Sequence, residues 1–204
     1  MPWKALTRFF YRSILPLTLV RNWKVVDDSH KMLVMEHELF RHIEIEMFVT
    51  RSKLHESIAF IIDTVSVFGG REAPSGNKQR QSELEPFRNT YCHHYPICVR
   101  RILPDDTLIS MASPAVPNAK EDWYAISMIS YHWPGRRDGF FKFANFVAST
   151  MAKRFGARAH WAKFNPLSLS ENEELYPSLQ DFNTIRNKLD PERRFENEWF
   201  SQVL

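Results

Sequence analysis

Two short clusters hold most of the side chains able to do chemistry. The first lies in Tyr91 to Ser110, YCHHYPICVRRILPDDTLIS, where Arg100 and Arg101 interrupt an otherwise apolar stretch. On an extended strand they face opposite sides of the sheet, so one guanidinium enters the layer between sheet and neighbour. An inward guanidinium needs an anionic or hydroxyl-rich partner, because an unpaired buried charge is costly. That partner is either a bound ligand or a structural acid such as Asp105. The second cluster is Arg158-Ala159-His160-Trp161-Ala162-Lys163. With a period of two, His160 and Ala162 point one way while Trp161 and Lys163 point the other. Cations beside a wide aromatic ring suit a polar ligand such as a sugar. A surface strand ending in a solvated lysine has the same spacing.

Cys92, His93, His94 and Cys98 have the side chains of metal ligands but not their spacing. An extended strand puts Cys92, His94 and Cys98 on one face, too spread for a tetrahedral ion, and no second ligand pair stands nearby. We therefore expect no metal site. Gly69-Gly70 and Gly76 follow a helical pattern instead of opening one, so no glycine loop cradles a phosphate. Neither G-x-S-x-G nor H-E-x-x-H occurs.

The elements that must position these clusters follow from periodicity. His42 to Thr50, HIEIEMFVT, alternates as a half-buried strand with Ile43, Ile45, Met47 and Val49 on one side. Thr50 is a plausible N-cap for a helix that repeats Leu54, Ile58, Ile61, Ile62 and Val65 and stops at Gly69-Gly70. The polar stretch from Arg71 to Glu85 reads as an exposed loop. Strands are expected over about Tyr95 to Leu103, over Thr107 to Ala112 and over Trp123 to Trp133. A helix then opens at Asp138 or Gly139, carries Phe140, Phe143, Ala144, Val147, Ala148 and Met151 on one face, and stops at Gly156. Arg158 to Lys163 reads as a last short strand. Ser170 with Glu173 suggests a capping box, and Ser178 caps a further helix ending near Leu189. The order is strand-helix-strand twice over, with C-terminal helices added. This is the α+β, ferredoxin-like split βαβ pattern: an antiparallel sheet with helices on one face.

The chain has 204 residues, 44% hydrophobic and 25% charged, which excludes disorder and supports a real core. A net charge of +3 is too weak to imply nucleic acid as a partner. Two cysteines cannot make a disulfide framework, so a cytoplasmic setting is expected. The longest uncharged run near the start, Ser13 to Val20, is too short to span a bilayer. Residues 1–26 carry Lys4, Arg8, Arg12, Arg21 and Lys24 with no acid before Asp27, interleaved with Trp3, Phe9, Phe10, Tyr11 and Ile14. Such a basic apolar segment packs on another part of the protein, lies on a membrane surface or acts as a transit-like peptide.

His160 to Lys163, Leu175-Tyr176-Pro177, Phe182, Asp190-Pro191 and Phe195-Glu196-Asn197 together resemble the C-terminal end of the aldonolactone oxidases. These are flavin-dependent sugar-lactone and alditol oxidases, D-arabinono-1,4-lactone oxidase among them, of the vanillyl-alcohol oxidase superfamily. The family ending has the form R-P-H-W-G-K, then Y-P, D-P and F-x-N. Here alanines replace the proline and the glycine. Ile97-Cys98-Val99-Arg100 with Asp105-Asp106 is similar to the family's active-site strand, and the resemblance runs from about Val25 to Leu204.

The resemblance implies that residues 27–204 are the substrate, or cap, domain, with the FAD-binding domain and the cofactor's pyrophosphate site upstream. It implies that Arg100 and Lys163 contact substrate hydroxyls and stabilise developing alkoxide. His160 would neighbour the isoalloxazine, and Ser130 and His132 would line the same cavity. The implied partners are a sugar lactone or polyol and a flavin-binding domain, with the chain a fragment or half of a split enzyme that is inactive alone. A non-catalytic binding protein that retained the cap is the rival. Several family members carry a glutamate two positions before the arginine, where this chain has Cys98, which bears on substrate preference.

Overall fold

The computed structural model describes residues 3–18, 28, 41–114, 116, 119–131, 135 and 137–204. Four strands form one antiparallel sheet: β1 (His42–Thr50), β2 (Cys98–Ile102), β3 (Trp123–Tyr131) and β4 (Arg158–Ala159), in the order β2-β3-β1-β4. Helix α1 (Arg51–Phe68) joins β1 to β2, and α2 (Asp138–Phe155) joins β3 to β4. Each joined pair encloses one strand of the other unit. This interleaving is the ferredoxin-like split βαβ arrangement expected from the sequence.

Alternation decides which face is dry. Ile45, Met47 and Val49 of β1 and Ile126 and Met128 of β3 are buried with Phe60, Ile61 and Phe68 of α1 and Phe140, Phe143, Ala144, Val147, Ala148 and Met151 of α2. Burying each large apolar side chain contributes roughly 1.5–3 kcal/mol. Gly156, at φ 62°, ends α2 in the left-handed conformation that a Cβ disfavours. Among the described residues, the other face is covered at one end, where Ala112 packs over Phe48, Trp123 and Ala125. Beyond that end it carries mostly polar and charged side chains, with Ile129 among them.

Several boundaries differ from the sequence expectation. Within Arg71 to Glu85, α3 (Lys78–Leu84) forms because Asn77 caps it, and the loop before it is tied to α1 through the buried Asp63. Asp63 accepts from Ser75 N–H and Oγ–H and from Arg80 Nη1 at 3.0, 2.6 and 2.7 Å. Burial raises its pKa, but these bonds outweigh it and leave the carboxyl below its ordinary value. Thr107 to Ala112 makes turns instead of a strand, held by Asp105 on Thr107 N–H and Ser110 Oγ–H. The last strand ends at Ala159, since His160 to Lys163 turns away. The capping box is Ser168 with Glu171, two residues before the expected pair. Three C-terminal helices follow: α4 (Leu169–Leu175), α5 (Leu179–Leu189) and α6 (Glu198–Val203). They gather around Tyr176, Leu179, Val203 and Leu204.

At the N-terminal end, residues 3–18 are helical, with a π-helical turn at Phe10–Ile14. The Arg8 guanidinium lies against Gly69, and the Tyr11 ring meets His94 at 6.1 Å. Among the described residues no helix is long and apolar enough to cross a membrane.

Two predictions follow from this packing. A Cβ on Gly139 would fall 2.5 Å from the Thr90 carbonyl oxygen. Gly139→Ala is expected to cost about 1–3 kcal/mol in urea unfolding, since backbone must move to admit the methyl. Largely buried His93, whose Nδ1 meets the Tyr91 hydroxyl at 3.0 Å, is pushed down to about 4 by burial and by His94. The unfolded chain takes up that proton near pH 6.5, so stability falls as pH drops from 6.5 towards 4. The loss is on the order of 2–3 kcal/mol, and His93→Phe should flatten that part of the stability–pH curve.

Candidate functional site

The polar face of the sheet carries a lattice of charged side chains whose geometry comes from strand register. Cys98, Ser127 and Glu46 are directly opposite one another across β2, β3 and β1, and His160 N–H bonds the Glu46 carbonyl at 3.0 Å to extend that row. The next row is Arg100, Ala125, Phe48 and Arg158. Because period two puts these residues on one face, their side chains meet above it.

Glu46 is 1% exposed, while Arg100 is 61% exposed and donates through Nη2 to Glu46 Oε1. The guanidinium reaches this carboxylate diagonally, over Ala125, whose methyl leaves the path clear. The bond to Glu46 and that carboxylate's charge raise the arginine's already high pKa. Glu46 Oε2 also lies 3.9 Å from His160 Nε2. His160 Nδ1 accepts the Ala162 N–H at 3.0 Å, so its ring proton sits on Nε2, facing Glu46. Burial lowers the histidine's pKa; the attraction of Glu46 works against this, and Lys163 and Arg100 add to the lowering. His160 is therefore neutral at neutral pH.

A parallel unit surrounds Glu44. Lys163 Nζ reaches its Oε2 at 2.7 Å, and Ser127 Oγ–H donates to its Oε1. Burial raises the pKa of Glu44, but the bonds from Lys163 and Ser127 more than reverse that. The turn carrying Lys163 is anchored by the Lys163 N–H on the His160 carbonyl and the Phe164 N–H on the Glu44 carbonyl, at 3.2 and 3.1 Å. Beside Lys163 a cavity of about 310 Å³ opens, walled by Ile43, Phe141 and Phe164.

Arg158 holds the neighbouring architecture in place. It is 1% exposed, with no carboxylate among its partners in the described residues. Its guanidinium donates to the carbonyls of Leu175, Ser113 and Ser110 and to Ser113 Oγ, between the rings of Trp123 and Tyr176 at 4.7 and 4.5 Å. Trp161 packs on Tyr176 at 5.0 Å and donates Nε1–H to Ile109 O at 2.8 Å. In the His160 to Lys163 run, the tryptophan is thus structural, while the histidine and lysine face the lattice.

Of the residues singled out from sequence, the structure brings together Arg100, His160 and Lys163. It does not bring Ser130 to them. Ser130 is buried on the helix-facing side, one residue out of phase with Ser127, and beside the Tyr91 phenol. His132 lies outside the described residues. Asp105 is not the partner of either arginine; Arg101 pairs with Asp122 at 2.8 Å. Sequence reasoning missed Glu44 and Glu46. Their signal was two carboxylates at i and i+2 on the polar side of the first strand. Among the described residues no group of three or more His, Cys, Asp or Glu side chains could hold a metal ion.

Comparison with known proteins matches residues 3–203 to the D-arabinono-1,4-lactone oxidase family, so the match takes in the basic N-terminal segment as well. A long-chain alcohol oxidase from an uncultured marine euryarchaeote is 49% identical over 98% of this chain and 43% of its own length. L-gulonolactone oxidases from Scyliorhinus torazame and Mus musculus are 32% and 33% identical over 62% and 54% of this chain. The chain spans less than half the length of these relatives, 29% and 24% for the two gulonolactone oxidases.

Removing the Glu46 charge should be visible at His160. Glu46→Gln loses the larger of the two attractions that favour the imidazolium, Glu46 and Glu44, so the His160 pKa is expected to fall further in an NMR titration. An unchanged or higher value would mean that Glu46 does not govern the ring.

Proposed function

The chain belongs to the D-arabinono-1,4-lactone oxidase family of oxidoreductases, and from that membership we propose that it is the substrate-side domain of an FAD-dependent alcohol or lactone oxidase. The observation that carries this reading is the pair of cations on the polar sheet face. Arg100 and Lys163 are each held by a buried carboxylate while their own side chains stay 61% and 33% exposed.

The donor set suits FAD and an oxygen-bearing substrate. The lattice is compensated, with two cations against two carboxylates and a neutral imidazole, so it can meet an uncharged ring system without stranding a charge. When bound, FAD would supply the hydride acceptor. His160, in the row between Glu46 and the turn, is the residue of this chain proposed to neighbour its ring. The flavin's phosphates would be held by a domain outside these 204 residues.

In this reading Arg100 and Lys163 orient the substrate oxygen and lower the cost of the negative charge that develops on it as the carbon is oxidised. Such stabilisation is strong where donors are fixed beforehand and water is scarce. Glu46 and Glu44 fix them here, because a cation already paired on one side has fewer positions to search. The relatives' names divide the substrate between sugar lactones and long-chain alcohols.

The test is steady-state oxidation by the FAD-loaded holoenzyme. Arg100→Met and Lys163→Met are each expected to reduce kcat/KM by roughly 10²–10³, the size of losing one donor at a developing oxyanion. If both variants kept full activity, the non-catalytic reading of this face would be the better one. The 204-residue chain alone is expected to stay colourless on mixing with FAD and desalting.

A further inference from the structure

We propose that the helical segment from Trp3 to Thr18 is a membrane-surface element whose outward side lies in the headgroup layer of a bilayer bearing anionic lipid. The inference does not depend on the oxidase reading above.

An amphipathic helix on a folded domain ordinarily turns its apolar stripe to the core. This one is reversed. Leu6, Phe9, Phe10, Ile14 and Leu17 are all exposed, Leu17 to 82%. They stand three or four residues apart, so they line up along one side of the helix. Thr7, Arg8, Tyr11 and Leu15, on the opposite side, are the less exposed set. The helix cannot roll its stripe inwards, because that opposite side is already seated. The Arg8 guanidinium lies close against Gly69, and the Tyr11 ring meets His94 at 6.1 Å. A row of large apolar side chains held outward in this way marks a surface that something else covers.

Charge identifies the cover. Residues 1–26 contain Lys4, Arg8, Arg12, Arg21 and Lys24 and no aspartate or glutamate, in a chain whose net charge is only +3. The basic excess of the whole chain is therefore concentrated in this segment. Arg12 is exposed one turn along from Phe9, so a cation flanks the stripe. An anionic bilayer presents the complement in two layers, phosphates outside and acyl chains beneath. A helix lying in its plane puts its apolar side about 5–10 Å deep while its cations stay at the phosphates. Long basic side chains reach that level from a helix sunk beside them. Phenylalanine, leucine and isoleucine offer depth more than directional bonds, which suits fluid acyl chains. The segment would lie on the bilayer and not cross it, since no helix among the described residues is long and apolar enough to span one.

The test is flotation of the FAD-loaded holoenzyme with two kinds of vesicle, phosphatidylcholine alone and phosphatidylcholine with an equal share of phosphatidylglycerol. Binding to the anionic vesicles should be at least about tenfold tighter, and about 1 M salt should remove that difference. The double variant Phe9→Ser, Leu17→Ser should bind the anionic vesicles about tenfold or more weakly, because both side chains give up their burial in lipid. Arg12→Gln should weaken binding by roughly fivefold, and only where phosphatidylglycerol is present. All three positions are exposed, so each variant should melt at the temperature of the unchanged protein. Failure of the unchanged holoenzyme to bind either vesicle would overturn the inference, as would binding that the double variant keeps in full. A fall in the double variant's melting temperature would overturn it too and place the stripe against another part of the protein. A dimer that the double variant turns into a monomer would overturn it in favour of a second copy of the chain.

Discussion

A buried guanidinium with no carboxylate partner among the described residues organises the half of the molecule that carries the charged lattice. Arg158 leaves water at a cost that only saturating its donors can offset. The fold meets that requirement with carbonyl oxygens from two separate segments, Ser110 and Ser113 on one side and Leu175 on the other, and with two aromatic faces. The loop over the sheet, the end of α4 and the short strand β4 are thereby fastened at one point. His160 and Lys163 follow within five residues, so the turn that aims them starts from a fixed end. Trp161 fastens it again through Ile109.

On this frame the lattice of Arg100, Glu46, His160, Glu44, Lys163 and Ser127 works as a set of charges that are paired before any ligand arrives. Burying a carboxylate such as Glu46 is unfavourable unless its oxygens are occupied, and each oxygen faces a different element: β2 for one, the turn after β4 for the other. The consequence is mutual. The carboxylate is tolerated because the cation is there, and the exposed cation keeps one orientation because the carboxylate cannot move. The middle strand takes part through what it lacks. Ala125 and Ser127 are small, and a larger residue at 125 would stand between Arg100 and its partner.

The helix-sheet half of the fold was legible in the sequence because its signals are local. The alternation in HIEIEMFVT gave β1 with both ends correct, and Gly156 marked the stop of α2. The expected strands at Thr107 to Ala112 and past Ala159 failed because longer-range bonds decided them. Asp105 gathers Thr107 and Ser110 into a turn, and the Ala162 N–H finds His160 Nδ1 instead of a neighbouring strand. The candidate site was half legible. Polar side chains able to bind ligands are conspicuous among apolar neighbours, so Arg100, His160 and Lys163 stood out. Glutamates on the polar side of an alternating strand look like any solvated face, and only the pairing of β1 with β3 and β4 reveals what they face.

Ser130 shows how sharply the period of two divides such a site. It is three residues from Ser127, so it has the opposite parity and lies among the packed helices, while Ser127 joins the charged lattice. A site spread over a sheet face therefore admits one residue in two from each strand, and the register between strands fixes which ones share a row. Here Cys98, Ser127, Glu46 and His160 share a row although 114 positions separate Glu46 from His160 in the sequence. That is why the layout of this charged face is decided by cross-strand alignment more than by any contiguous motif.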